Sequence, residues 1–324
     1  MDLELAIAWQ RPRTRTKEHD TIVRTGWFIL RTCCLLSVLL TSVYADDTET
    51  DDLVVNQDGT TYGKFWVKGP ATTDDMVAYY SFATNATPIQ DESGNSNTGV
   101  VNGAAWTNAG IVDGAYWFDG SNDLINVDSL IDDVTNNQSG SISAWVRPTD
   151  STARGDLMCI GDSNASTFLR LRQPPANGRF TAQIGNAGIT QWQFITDTVV
   201  HANDVWVHVV LVHDGTEPSI YIDGQSTGVT WQITADKTAW IGDVPGFDTA
   251  RLGCADFNGS GDSQFWAGTM DEVRIYSVAL SADDVLKLYL AAVNPDKAGK
   301  VRFDKGATYV GALGDVSMGS YTNE

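Results

Sequence analysis

Between residues 76 and 292 the chain alternates apolar and polar positions in short runs. Gly, Asn or Asp breaks the pattern at roughly 8–12-residue intervals. The runs include MVAYYSF, GAYWFDG, GSISAWVRP, STFLRLR, TQWQFIT, VWVHVVLVHDG and PSIYIDGQ. A period of two is the strand period, and short runs with turn residues between them predict an all-β, two-sheet antiparallel sandwich. Asp223-Gly224 marks a hairpin between two of the runs.

One segment departs from this rhythm. In MDEVRIYSVALSADDV, residues 270–285, Val273 and Ile275 share one face of a strand, and Glu272, Arg274 and Tyr276 share the other. Ser281 then reads as a helix N-cap with Asp284 completing a capping box. Leu280 and Val285 stand at hydrophobic-staple spacing. Leu286, Tyr289 and Leu290 fall at helical spacing, so one short helix with an apolar side is expected after the last strand.

The ends are different. Residues 1–45 read as a basic extension and a signal peptide. Arg24 and Arg31 precede an apolar run, and Val43-Tyr44-Ala45 offers a cleavage site. The run is short for a membrane span, so no membrane insertion is expected after cleavage, and the destination is secreted/extracellular or the cell surface. Residues 46–75, acidic and Thr-rich, read as a linker or N-terminal extension. Residues 76–292 form the main domain, and residues 293–324 form a tail or the start of a further module.

The 324 residues carry a formal net charge of −20. Nucleic acid and anionic membrane are poor partners for such a surface. Asp outnumbers Glu by 34 to 7. Asp serves turns and calcium sites, so both readings stand. Cys159 and Cys254 remain after signal cleavage. Export permits a disulfide between them, and two buried thiols are the alternative.

The order of YYSF (79–82), DESGNSNTG (91–99), GAYWFDGSNDLINV (114–127), SISAWVRP (141–148), VWVHVVLVHDG (205–215), IYIDGQ (220–225) and MDEVRIYSVALSADDV (270–285) resembles the laminin-G-like jelly roll of the concanavalin A-like lectin/glucanase superfamily. The resemblance implies two stacked antiparallel sheets with the last strand returning beside the first. It also implies a structural Ca2+ at a sandwich edge. Carried over to this sequence, its ligands would come from Asp91, Asn95 and Asn97 and from Asp271 or Glu272, with Asp119 a further candidate. Tight turns in which Asp side chains accept backbone N–H groups are the alternative.

Sugars bind aromatic faces beside planar polar groups. Trp192, Trp231, Trp240 and Trp266, in polar surroundings such as TQWQF and TWQIT, are the stacking candidates. Arg170, Arg172, Gln191 and Gln193 are their hydrogen-bonding neighbours. Trp145 and Trp206 fall in core strands of the family pattern, and Trp106 and Trp117 read as core or half-buried. The paired carboxylates of the superfamily's glycosidases are absent: Glu92, Glu217 and Glu272 have no acidic partner two or four residues away. The expectation is a non-catalytic carbohydrate-binding or adhesion module that meets a glycan or extracellular glycoprotein. A protein-binding or structural spacer is the alternative, and a glycoside hydrolase the distant third.

Overall fold

The computed structural model describes residues 75–175 and 178–293 and four short strands before them. The chain divides into two units, Met1–Pro70 with Asn294–Glu324, and Ala71–Val293. In the first, β1 (Leu5–Ile7) pairs antiparallel with β2 (Phe28–Leu30), and β3 (Asp52–Gln57) with β4 (Thr60–Trp66). The stretch read as a linker thus contains a β-ladder. Apart from β2, the expected signal peptide lies outside the described residues, as does the tail beyond Val293.

The second unit holds β5 (Met76–Tyr80), β6 (Val100–Asn102), β7 (Ala105–Thr107), β8 (Ala115–Asp119), β9 (Leu124–Asn126) and a one-turn helix α1 (Ile131–Val134). Then come β10 (Gly140–Pro148), β11 (Gly155–Gly161), β12 (Phe168–Gln173), β13 (Thr181–Asn186), β14 (Ile189–Thr196) and β15 (Val207–His213). The last elements are β16 (Pro218–Ile222), β17 (Gln225–Ser226), β18 (Val229–Thr234), β19 (Thr249–Leu252), β20 (Ala267–Tyr276) and α2 (Ala282–Val293). One antiparallel sheet runs β17-β16-β15-β10-β20-β8-β7 with β5 also on β20. The other runs β18-β14-β13-β12-β11-β19-β9-β6. This is the expected jelly-roll sandwich.

Strand alternation builds the core between the sheets. Ile142, Ala144 and Val146 of β10 and Val209 and Leu211 of β15 face Leu169 and Leu171 of β12, Ala182 and Ile184 of β13, and Trp192 and Phe194 of β14 within one buried cluster. Each large side chain there contributes about 1.5–3 kcal/mol by leaving water. The closing strand β20 lies beside β10 along its length. Its first half pairs with β8 and its second half with the opening strand β5. Glu272, at φ 53°, sits in the bulge between the two halves, which re-aims the strand from one partner to the other.

Helix α2 forms as its signals dictate. Ser281 Oγ accepts from the Asp284 N–H at 3.2 Å, and Leu280 and Val285 are buried together. The helix covers the outer face of the first sheet over Val210, Val212 and Tyr276. Its most buried apolar positions are Val285, Leu288 and Ala292, whereas Leu286 and Leu290 are half-buried. Tyr289 stacks on Trp145 with centroids 5.5 Å apart. Among the described residues no helix is long and apolar enough to cross a membrane.

Candidate ligand-binding faces

The tryptophans expected to stack on a ligand are turned inward or occupied. Trp192 is fully buried, donates its Nε1–H to the Ala239 carbonyl at 2.7 Å and stacks on Phe194. The reason is the strand period: Gln193 faces outward, so Trp192 beside it must face the core. Trp240 and Trp266 are buried, Trp240 stacking on His213 at 4.9 Å and Trp266 packing against Phe118. Trp231 is half-buried on the edge strand β18. Lys237 Nζ stands 4.0 Å from its ring centroid and Phe194 meets it edge-on. Gln191 is half-buried and donates to the Ile189 carbonyl at 3.2 Å.

Trp117, read as core or half-buried, is exposed, 41 % accessible, and Trp206, read as a core-strand residue, is half-buried. In AYWFD the neighbours Tyr116 and Phe118 are buried, so Trp117 takes the outer face of β8. It lies in a single cross-strand row: Ala105 pairs with Trp117, Trp117 with Thr269, and Thr269 with Arg147. Arg147 extends the row to Trp206, with Cζ 5.4 Å from that ring centroid. Its Nη2 donates to Thr269 Oγ1 at 3.4 Å. Two indoles therefore flank a guanidinium over three strand spacings, roughly 14 Å, with Thr269 fully buried beneath it. Parity within AYWFD was the available signal, hidden because all four leading residues are apolar or aromatic.

The outer face of the second sheet is polar and has two halves. Over β11, β12 and β19 it is closed by residues 254–264, whose ends meet in an Ala255–Ser263 bridge. Beneath that loop Arg170 gives Asp156 a two-pronged ion pair, Nε–Oδ1 at 2.8 Å and Nη2–Oδ2 at 2.6 Å. Nη2 also donates to Gln264 Oε1 at 2.7 Å, and Phe257 stands over the guanidinium at 4.9 Å. Arg170 is therefore a structural ion and not a ligand group. Arg251 is likewise held by Asp128, Asp256 and Asp262. Over β12, β13, β14 and β18 the face carries Arg172, Gln183, Gln193 and Gln232. Arg172 Nη2 donates to Gln183 Oε1 at 3.4 Å, and Gln193 Nε2 donates to Gln232 Oε1.

The expected calcium ligands are not brought to one centre. Asp91 Oδ1 accepts the Tyr79 and Ser93 N–H groups, and Oδ2 accepts the Ser93 hydroxyl and the Asn97 N–H. Asn95 and Asn97 donate their amides to the Val77 carbonyl, and Asn97 also to Asp133. Asp119 Oδ1 caps its own turn at the Ser121 and Asn122 N–H groups. Asp271 accepts the Ile111, Val112 and Glu272 N–H groups, while burial pushes its carboxyl up to about 7. Glu272 is held by the Tyr79 hydroxyl and paired with Arg274 at 2.5 Å. Among the described residues no three His, Cys, Asp or Glu are grouped to hold a metal ion. The Asp91 and Asp271 carboxylates are committed to N–H and O–H donors, and Glu272 to the Tyr79 hydroxyl and an arginine, which is the turn chemistry weighed against calcium.

Cys159 and Cys254 are free and buried. They lie on the outer face of the second sheet, under the closing loop. Cys159 packs against Phe168, Ala255 and Phe257, and Cys254 points to Asp262 Oδ1 at 3.7 Å. Burial pushes the Cys159 thiol up to about 12, which makes it an inert core residue. The disulfide reading gives way to two buried thiols. Ser143 Oγ lies 2.9 Å from His208 Nε2, but both are fully buried. His208 Nδ1 has no partner, and Asp223 bonds the His208 backbone and not its ring. Burial holds that imidazole neutral, its pKa near 3, so the pair is packing beneath α2.

The family model for laminin-G-like domains, described as the concanavalin A-like lectin/glucanases superfamily, matches residues 119–286, just over half of the chain. The chain belongs to that superfamily. No curated protein matches this lectin/glucanase-type chain. Among solved structures it is similar to domain 4 of AbnA, a GH43 extracellular arabinanase from Geobacillus stearothermophilus, in complex with arabinotriose. The identity is 18 %, over 68 % of this chain and 100 % of the other, with a TM-score of 0.51. It is also similar to the binding domain of botulinum neurotoxin serotype D, at 15 % identity over 67 % of this chain and 52 % of that one, with a TM-score of 0.50. At these identities the likeness is one of fold.

Proposed function

We propose that this chain is a secreted, non-catalytic glycan-binding module that works outside the cell or at its surface. The observation that carries the reading is the outer-face row of Trp117, Arg147 and Trp206, where an exposed and a half-buried indole flank a guanidinium above the buried Thr269. Such a row suits the apolar faces and hydroxyls of a short oligosaccharide. Two further points support it: a similar domain is held with arabinotriose, and residues 22–45 have the pattern of an export signal. The carboxylates around β20 are tied to backbone and arginine, which supports binding without hydrolysis.

The test is a polysaccharide and glycan array with the full chain, followed by Trp117→Ala and Trp206→Ala. Each substitution is expected to weaken the array-positive glycan by about tenfold with the melting temperature unchanged. A blank array from folded protein would sink the glycan reading. The same sandwich would then be taken as a protein-binding or spacer module.

A further inference from the structure

Basic residues are scarce in this acidic chain, and between residues 75 and 293 only nine Lys and Arg occur. Arg170, Lys237, Arg251, Arg274 and Lys287 each make an ion pair. Arg147 is engaged by Trp206 and Thr269. The other three, Arg154, Arg172 and Arg179, form no ion pair with a carboxylate among the described residues. Their positions in the fold are related. Arg172 pairs across the ladder with Thr181. Arg179 lies two residues before Thr181, in a run where Phe180, Ala182 and Ile184 fill the core, so Arg179, Thr181 and Gln183 share the outer face.

Arg172 and Arg179 are half-buried, and each has an Nε without an acceptor. The one carboxylate in register with Arg172 is Asp156, which Arg170 already holds with two hydrogen bonds. Burial and the like charges of Arg170 and Arg154 outweigh the pull of Asp156 and bring the Arg172 guanidinium down to about 10. Crowding three cations around one carboxylate costs stability there. Gln183, Gln193 and Gln232 continue the same face as a ladder of planar amides. Such amides match vicinal hydroxyls and give an acidic peptide no apolar pocket.

We infer that the half of the second sheet's outer face beyond the 254–264 loop, centred on the half-buried Arg172 and Arg179 with Gln193 beside them, is a second site that takes a glycan bearing an oxyanion, the carboxylate of a uronic acid or a sulfate ester. The site rests on the glycan-binding reading for its ligand class. Its location is independent of the Trp117 row, which lies on the other sheet.

Titration calorimetry of the full chain at low ionic strength tests it with trigalacturonic acid, its methyl ester and a κ-carrageenan tetrasaccharide. At least one charged sugar is expected to bind, and the carboxylate and sulfate arms identify which oxyanion is taken. The ester is expected to bind at least about tenfold more weakly than the acid, because charge-assisted hydrogen bonds are lost. Arg172→Gln with Arg179→Gln is expected to remove the charged ligand by a similar factor with an unchanged or raised melting temperature, and Trp117→Ala to leave it bound. The inference is overturned if neither charged sugar binds, if the ester binds as well as the acid, if the double variant retains full affinity, or if poly-glutamate competes equally. Loss of all binding in Trp117→Ala would merge the two sites and overturn it as well. A neutral glycan that binds at the Trp117 row while both charged sugars fail would leave the glycan-module reading standing and this site refuted.

Discussion

Arg170 and Arg172 stand two residues apart on one strand and one face, and their surroundings are opposite. Over Arg170 the 254–264 loop folds down, and the guanidinium meets Asp156, Gln264 and Phe257. Arg172 is half-buried among the buried Thr181 and Gln183, and a single long hydrogen bond to Gln183 is all its side chain makes. The closed half of the sheet face satisfies every charge it buries, as Arg251 among its three aspartates repeats. The other half leaves Arg172 and Arg179 without an ion pair among the described residues. A buried cation with a full set of partners is architecture. One left short of partners on a sheet's outer face is available to a ligand.

The contrast can be broken by exchange. Arg170→Met is expected to be the costliest change, about 3–5 kcal/mol, because it strands the fully buried Asp156 without a counter-ion. Chemical denaturation measures it, and a loss below 1 kcal/mol would show that the closed half is not held by its ion pair. Arg251→Met is expected to cost less, about 1–2 kcal/mol, since Asp128 and Asp262 are exposed enough to be rehydrated. Arg172→Met is expected to fall within about 0.5 kcal/mol of wild type or to stabilise, as it deletes a half-buried charge that has no ion pair of its own. If it were as damaging as Arg170→Met, the two halves would be alike. The smallest effect is expected from chelation. Asp91 already accepts four hydrogen bonds, so EDTA is expected to leave the melt unchanged while Asp91→Ala lowers it equally with and without chelator. A melt that falls on adding EDTA would restore the calcium reading.

Much of this was legible in the sequence. Alternation in GSISAWVRP and VWVHVVLVHDG fixed which residues of β10 and β15 face the core. Ser281, Asp284 and the Leu280–Val285 pair marked the helix that follows the closing strand. What misled was local polarity. Trp192 in TQWQF has polar neighbours on both sides, which looks like a surface, yet a strand sends adjacent side chains to opposite faces. The same rule applied to AYWFD would have placed Trp117 outside. Likewise DESGNSNTG and MDEVRIY carry the oxygens calcium favours, but which donors those oxygens meet depends on residues far along the chain, such as Tyr79 with Asp91 and Ile111 with Asp271.

The sequence by itself determined the periodicities: a two-sheet sandwich, its closing strand and helix, and an acidic surface poor in cations. These follow from local propensity and from the need to bury every second residue. Only the tertiary structure decided which charges are answered. Asp156 meets Arg170 across a ladder, Asp128 meets Arg251 from 123 residues away, and among the described residues no carboxylate forms an ion pair with Arg172 or Arg179. Partnership between distant side chains depends on strand register and on where a loop folds down, and neither is written in the alternation of any one strand.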